Sequence, residues 1–162
     1  MQSTIRDACA DDQNAIRRLL CDAFGRRAEA DLVEALRDCG ALSISLVTER
    51  DGELVGYIAL PRLRSPKLGL ALAPLAVAAL HRGRGIGSRL IKEGLNRARD
   101  AGNEIVFVLG APEYYERQGF SLEAAQPFPC AYAGPYFMAI WLGDARRTPE
   151  PVIYPDAFDA IP

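Results

Sequence analysis

The stretch HRGRGIGSRL, residues 81–90, decides how the rest of this sequence is interpreted. It places three glycines and three arginines in ten positions, between the apolar run LAPLAV and the amphipathic stretch IKEGLNRARDAG. The segment therefore lies where a predicted strand gives way to a predicted helix. Backbone N–H groups at a helix N-terminus have no intrahelical partner, and the helix dipole is positive there. The stretch thus predicts a binding site for an anion such as a phosphate or pyrophosphate.

Side chains of the same stretch support an anion site, but its glycine spacing matches neither of two common nucleotide motifs. Arg82, Arg84 and Arg89 would add positive charge, and Ser88 would offer a hydroxyl donor. A Walker A loop requires GxxxxGK[ST], which is absent. A dinucleotide fingerprint requires GxGxxG in the first strand–helix unit, whereas these glycines alternate as GxGxG in mid-chain. A Rossmann-type nucleotide binder is therefore disfavoured, and a glycine-rich turn with solvated arginines stays open as an alternative.

The sequence before this stretch predicts a strand, two helices and three more strands. A helix capped by Asp11 or Asp12 follows the strand STIRDA, and a second helix ends near Gly40. The apolar runs ALSISLVTE and ELVGYIALPRL are joined through Asp51-Gly52, which is a strong hairpin signal. LGLALAPLAV predicts a buried strand, and a bulge or a break in pairing is expected at Pro74, because proline has no N–H to donate.

The sequence after the stretch predicts alternating helices and strands. A helix runs to about Ala101, EIVFVLG is a strand, Pro112 opens the short helix PEYYERQ, and PYFMAIWL is the last strand. The Pro-rich tail, residues 143–162, is expected to lie over the surface. This order predicts a single α/β domain with a mixed sheet over residues 1–162.

Composition and charge exclude several classes of partner. The 162 residues carry a net charge of −2, with a pI near 5.5, which argues against a general nucleic-acid binder. No apolar run is long enough to cross a bilayer, and no signal peptide is visible. The four cysteines lack CxxC spacing and the chain has one histidine, so we expect reduced thiols and no metal site. The sequence therefore predicts a cytoplasmic protein that binds neither nucleic acid nor membrane.

Two spaced motifs carry a family resemblance. Arg82-x-x-Gly85-x-Gly87 follows the strand residues LAV at 75–77, and Tyr-x-x-x-Gly-Phe occurs downstream at residues 115–120. Their spacing, with the order of predicted elements from residue 3 to about 142, resembles the GNAT superfamily of acyl-CoA-dependent N-acetyltransferases, in particular a bacterial subfamily of predicted acetyltransferases. Ala79 stands where the family usually has proline, which would alter the loop entry but leave its amides in place.

The resemblance implies a fold and a cosubstrate. The fold would be a central mixed, mostly antiparallel sheet flanked by helices, with two central parallel strands, LAPLAV and EIVFVLG, splayed to bind acetyl-CoA. Backbone groups of the first strand would pair with the pantetheine arm, an amide near Val77 would polarise the thioester carbonyl, and the loop amides would hold the pyrophosphate. The residues implied to bind acetyl-CoA are Leu75, Ala76, Val77, Arg82, Gly83, Arg84, Gly85, Ile86, Gly87 and Ser88.

Tyr115 matches the position of the family's tyrosine acid. The implied reaction is direct attack of a neutral amine on the thioester, with Tyr115 giving a proton to the departing thiolate. A phenol with a pKa near 10 is protonated at pH 7 and can donate. Two alternatives stay open at this point: Tyr115 as a core aromatic with a polar tip, and Tyr114 in its place through a register error of one.

The general base and the acceptor do not follow from the sequence. The carboxylates that could serve as a base, each also readable as a solvated surface group, are Glu29, Asp31, Glu34, Glu49, Glu53 and Glu113. His81 adjoins the pyrophosphate motif rather than the acetyl end, and Cys130 has no local histidine to activate it. The amine acceptor is expected to contact residues 24–39 and 121–136. A non-catalytic acyl-CoA sensor or interaction module of the same fold stays open, as does a homodimer.

Overall fold

Twelve helices and strands build the fold over the part of the chain that the computed structural model describes, residues 3–161. They follow the predicted order with two differences: one predicted strand appears as two, β4 and β5, and a short helix, α5, was not predicted. The elements are β1 (Thr4–Asp7), α1 (Gln13–Phe24), α2 (Ala28–Asp38), β2 (Leu42–Arg50), β3 (Glu53–Pro61), β4 (Gly69–Ala71), β5 (Leu75–Val77), α3 (Ile86–Asp100), β6 (Ile105–Leu109), α4 (Pro112–Arg117), α5 (Leu122–Ala125) and β7 (Phe137–Trp141).

The strands form two sheets, and the expected mixed, mostly antiparallel arrangement with splayed central strands is confirmed. An antiparallel sheet has the strand order β1-β2-β3-β5, and a second sheet has the order β4-β6-β7, with β4 and β6 parallel. The expected strand LGLALAPLAV is divided between the two sheets as β4 and β5, and Pro74 lies in the gap between them. The break in pairing predicted at Pro74 is thus confirmed, and it separates the sheets.

The parallel pairing ends just before the proline. The Leu72 amide donates to Phe107 O at 2.9 Å, while the Ala73 amide already donates to Ala59 O of β3 at 3.1 Å. Beyond this point β5 continues along β3, and β6 continues along β7. A gap therefore opens between β5 and the end of β6.

Helix α3 covers the antiparallel sheet with the apolar face that the sequence predicted. The buried residues of this face include Ile86, Leu90, Ile91, Leu95 and Ala98. The helix lies close to β3 because Gly56 leaves room for it: a Cβ on Gly56 would lie 2.9 Å from Ile86 Cγ2 and 3.0 Å from Leu90 Cδ1. This close packing fixes the height of the N-terminus of α3 above the gap between the strands.

The end of the Pro-rich tail does not simply lie over the surface. Ile153 exchanges backbone hydrogen bonds with Ser65, at 2.9 and 3.4 Å, and Val152 and Phe158 are buried. Phe158 packs with Leu32 and Leu36 of α2. Apolar residues spaced along the tail are buried against the domain, although most of the tail is polar.

Asp12 occupies the predicted N-cap position of α1 but does not cap it through its side chain. Its buried carboxylate accepts hydrogen bonds from the Arg6 guanidinium at 2.8 and 3.0 Å and from the Cys9 amide at 2.8 Å. The Arg6 hydrogen bonds, helped by the Cys9 amide, hold the pKa of Asp12 well below its ordinary value. The carboxylate therefore joins β1 to the start of α1.

None of the helices described over residues 3–161 is both long enough and apolar enough to cross a membrane.

We expect Asp12→Asn to destabilise the protein by about 2 kcal/mol at pH 7, because charge-assisted hydrogen bonds to a buried group are lost. A lowered pKa contributes stability that is present above the unfolded-state pKa, about 4, and is lost as the pH falls below it. The difference between wild type and variant should therefore be constant from pH 5 to 8 and should shrink below about pH 4. Urea unfolding across this pH range measures it.

Asp156→Asn is the matched control, because Asp156 pairs with Arg64 on the exposed surface. Exposed ion pairs contribute little, so this variant should unfold like the wild type. A difference for Asp12→Asn that persists undiminished at pH 2 would contradict the assignment.

Candidate active site

The N-terminus of α3 presents free backbone donors. Gly85 is the N-cap residue, with φ of +81°, a conformation that glycine adopts without steric cost. The Arg89 amide makes the first helical hydrogen bond, to Gly85 O at 3.0 Å. The amides of Ile86, Gly87 and Ser88 therefore have no helical acceptor, and they lie at the positive end of the helix dipole. This is the anion-binding geometry that the sequence predicted.

A cavity of about 550 Å³, here called the loop cavity, lies in front of these amides. Nine of the ten residues predicted to bind the cosubstrate line it: Leu75, Ala76, Val77, Arg82, Gly83, Gly85, Ile86, Gly87 and Ser88. The tenth, Arg84, is exposed and does not line it. Four further residues that the sequence analysis did not include complete the lining: Ala23, Phe24, His81 and Tyr114.

The backbone of β5 turns half of its polar groups toward the gap between the strands. Ala59 N–H donates to Pro74 O at 3.1 Å, and Ala78 N–H donates to Val55 O at 2.8 Å. Because alternate residues of an antiparallel strand face the partner, the N–H and C=O groups of Leu75 and Val77 point away from β3. Val77 O accepts a hydrogen bond from Arg82 Nε at 3.1 Å.

Side chains from α4 and the turn after it reach the start of α3. A Cβ on Gly87 would lie 2.7 Å from Tyr114 Oη, so the phenol rests directly on the helix backbone there. Gln118 Nε2 donates to Ser88 Oγ at 2.9 Å, which leaves the Ser88 hydroxyl hydrogen free to donate elsewhere.

A second cavity, of about 380 Å³, adjoins the loop cavity and is here called the tyrosine cavity. Its walls include Tyr115 and the segment from Leu72 to Leu75, where β5 leaves β6. Phe24 and Leu75 line both cavities, so the two meet at the gap between the strands. Tyr114 and Tyr115 therefore face different cavities, as their neighbouring positions on one helix require.

The Tyr115 ring is held by close packing. A Cβ on Gly110 would lie 2.5 Å from Tyr115 Cε2, and the rings of Tyr114 and Phe120 meet it edge-on at centroid distances of 5.1 and 5.7 Å. Burial, followed by the neighbouring Tyr114 phenol, raises the pKa of Tyr115 to about 12. The phenol therefore keeps its proton throughout the physiological range. The contact between Gly110 and Tyr115 was not predicted, because its only sign in the sequence is a glycine between the strand and the tyrosines.

The candidate carboxylate bases differ in environment. Glu29 is buried, lines the tyrosine cavity, and accepts hydrogen bonds from Arg26 Nε at 3.0 Å and Arg26 Nη2 at 2.5 Å. The other five lie outside both cavity linings: Asp31 and Glu34 pair with Arg17, Glu49 pairs with Arg6, and Glu53 and Glu113 are exposed.

The two remaining side chains considered from sequence take different places. His81 lines the loop cavity, and its Nδ1 is buried without a hydrogen-bond partner among the described residues. Cys130 is half-buried, and burial raises the pKa of its thiol, which disfavours the thiolate that a nucleophile requires. No group of three or more potential metal ligands occurs within residues 3–161.

The tail supplies a wall that the sequence analysis did not assign. Tyr154, Phe158 and Ile161 all line the tyrosine cavity. The predicted acceptor regions contribute four more residues: Phe24, Glu29, Leu32 and Tyr132. No local sequence pattern places a C-terminal tail beside α2.

Comparison with known proteins identifies the family. Residues 13–120 match the model of the "Acetyltransferase (GNAT) family". The uncharacterized N-acetyltransferase YhbS of Escherichia coli K12 is 37% identical over 127 residues, which is 76% of each chain.

Two solved structures extend the likeness to the whole fold. The crystal structure of Escherichia coli YhbS in complex with CoA superposes with a TM-score of 0.92 at 33% identity, covering 98% of this chain and 93% of that one. A GNAT family acetyltransferase from Brucella melitensis in complex with acetyl-CoA gives 0.83 at 32% identity, covering 98% and 99%. The chain has the GNAT fold and belongs to the GNAT family of acetyltransferases.

Proposed function

We propose that this protein is an N-acetyltransferase that transfers an acetyl group from acetyl-CoA to a primary amine by direct attack. One observation carries the proposal: the loop cavity, with its free helix amides, meets the tyrosine cavity at the point where β5 parts from β6. A pyrophosphate and a thioester could thus be held in one cavity while an amine enters from the other. The relatives crystallised with CoA and with acetyl-CoA support this assignment.

The loop cavity fits the cosubstrate. The amides of Ile86, Gly87 and Ser88 would hold the pyrophosphate, and Arg82 and the Ser88 hydroxyl would add donors. The unpaired N–H and C=O groups of Leu75 and the N–H group of Val77 would pair with the pantetheine arm as an added strand does. The Val77 amide would then lie near the thioester carbonyl and stabilise the developing oxyanion, an effect typically of about 2.7–4 kcal/mol.

Tyr115 is the proposed acid. The amine nitrogen forms a bond to the acyl carbon, the carbon–sulfur bond breaks, and the sulfur leaves with the electron pair. The Tyr115 hydroxyl donates to that sulfur, and its high pKa keeps the proton available at neutral pH. The amine proton leaves through water, which also reprotonates the phenolate.

A non-catalytic acyl-CoA binder of the same fold is the second candidate. The observation that favours it concerns Glu29, the only carboxylate among the described lining residues of either cavity, whose two oxygens both accept from Arg26. Neither lining, among the described residues, therefore offers an unpaired carboxylate to accept the amine proton. A single domain over residues 1–162 is part of the proposal, although residues 1, 2 and 162 lie outside the described residues. The cytoplasmic location and the homodimer remain predictions.

Thermal unfolding with acetyl-CoA, with NAD and ATP as controls, tests the cosubstrate. A ligand at 100 times its Kd stabilises the native state by about 2.7 kcal/mol, which is several degrees at roughly 2–4 °C per kcal/mol. We expect this shift with acetyl-CoA only, together with release of CoA thiol when amines are added. Equal shifts of the unfolding temperature with NAD and ATP would mean that the loop binds anions without selecting acetyl-CoA.

Gly87→Ala should weaken acetyl-CoA binding about ten-fold or more with little change in stability. The added methyl group displaces Tyr114 Oη and narrows the approach to the helix amides, whereas alanine is itself a better helix former than glycine. Isothermal titration with acetyl-CoA measures the Kd.

Gly143→Ala is the control, because a Cβ there meets no atom within 4 Å. Unchanged affinity in Gly87→Ala would place the cosubstrate elsewhere.

Tyr115→Phe should lower kcat by about 10²-fold or more while leaving the Kd for acetyl-CoA nearly unchanged, since general-acid contributions are typically 10²–10⁴-fold. Because burial raises the pKa of Tyr115 to about 12, wild-type kcat should show no loss of the acid between pH 7 and 10. Steady-state kinetics across this range measure both effects.

Tyr136→Phe removes the same hydroxyl from an exposed tyrosine and should behave as wild type. Full activity in Tyr115→Phe would mean that another group is the acid.

A further inference from the structure

We propose that the tyrosine cavity selects a compact monoamine: one primary ammonium group on an apolar or aromatic body, with no carboxylate and no second cation. This inference rests on the proposed function, because it names the acceptor for the reaction assigned to the two cavities. It follows from the walls of the tyrosine cavity, from its one charged residue and from its size.

The walls are apolar and aromatic. Residues from five separate parts of the chain contribute, among them Leu32, Leu72, Leu109, Tyr132, Tyr154 and Phe158. Three of the rings support each other edge-on, with centroid distances of 5.0 Å between Tyr132 and Tyr154 and 4.9 Å between Tyr154 and Phe158. Such walls bind a hydrocarbon or aryl body through burial of apolar surface.

Among residues 3–161, Glu29 is the single charged residue that lines the tyrosine cavity. Arg26, its partner, lies outside the lining and is half exposed, whereas the buried Glu29 side chain belongs to the lining. Each carboxylate oxygen has a second lone pair, so both can accept from an ammonium group while still bonded to Arg26. Arg26 is therefore a positioning residue that fixes the carboxylate, and Glu29 is the proposed amine-binding residue.

The tyrosine rings reinforce the preference for a cation. An ammonium group near an aromatic face is attracted by the ring quadrupole, most strongly where water is excluded. Tyr115, Tyr132 and Tyr154 all line the cavity that holds Glu29. The protonated amine would first bind here and would then lose a proton to water before it attacks the thioester.

The same features exclude three other classes of acceptor. An amino acid would bring its carboxylate among apolar walls and beside Glu29, where like charges repel. A polyamine would leave its further ammonium groups desolvated without a partner. A volume of about 380 Å³ lies near the lower end for small-molecule pockets, which disfavours a folded protein segment.

Phenethylamine and L-phenylalanine form the matched pair of probes, because they differ only by the carboxylate. We expect CoA release to be at least 100-fold more efficient, as kcat/KM, with phenethylamine than with L-phenylalanine or with spermidine. Equal or greater efficiency with either of the other two would overturn the proposal.

Glu29→Gln keeps the shape of the side chain and removes its charge. KM for phenethylamine should rise about ten- to a hundred-fold, the usual effect of losing a hydrogen bond to a charged group, while kcat changes far less. Glu34→Gln, on the same helix but outside the cavity, is the control. An unchanged KM in Glu29→Gln would remove Glu29 from the site.

Two further measurements test the monoamine site if Glu29→Gln does not fold or if no amine releases CoA. Tyr132→Ala alters an exposed wall residue and should also raise KM for phenethylamine, even if Glu29→Gln does not fold. If no amine releases CoA, the proposed function fails, and calorimetric titration of phenethylamine into the CoA-loaded protein still decides the cavity. Binding that Glu29→Gln weakens supports the monoamine site, and no binding overturns it.

Discussion

The parting of β5 from β6 is the constraint on which both cavities depend. Pro74 cannot donate to a ladder, and it lies between β4 and β5, which belong to different sheets. The change of partner occurs just before it, because the Leu72 amide still bonds to β6 while the Ala73 amide bonds to β3. The N–H and C=O groups of Leu75 and the N–H group of Val77 face the opening, and no strand within residues 3–161 pairs with them, so they can bind a ligand. A chain-like cosubstrate can form hydrogen bonds with backbone groups that the fold leaves unpaired.

Helix α3, the proposed anion-binding helix, is positioned by packing rather than by a ligand. Because Gly56 has no Cβ, α3 approaches β3 closely. The buried face of α3, from Ile86 to Ala98, therefore packs on the sheet in a single position. The first turn of α3 thus stands over the opening before anything binds. Binding then requires little ordering of this part of the backbone, which lowers its entropic cost.

Local patterns predicted most of the fold and the loop cavity. Glycine spacing, the Asp51-Gly52 hairpin and the proline break are decided by the backbone preferences of single residues, and all were visible in the sequence. The turn of Asp12 toward Arg6 was not, because it depends on how β1 meets the start of α1, and the burial of the tail was not, because its partners lie far along the chain. The tyrosine cavity was missed as a unit for the same reason, although Tyr115 and Glu29 had both been considered individually.

The tail forms part of the wall of the tyrosine cavity but not of the loop cavity. Tyr154, Phe158 and Ile161 contribute to the tyrosine cavity and to no part of the loop cavity. Substitutions in this last segment can therefore reshape the space beside the gap while every contact to the anion-binding loop stays as it is. If the proposed function is correct, substitutions in residues 154–161 can change which acceptor fits while the proposed cosubstrate site stays unaltered.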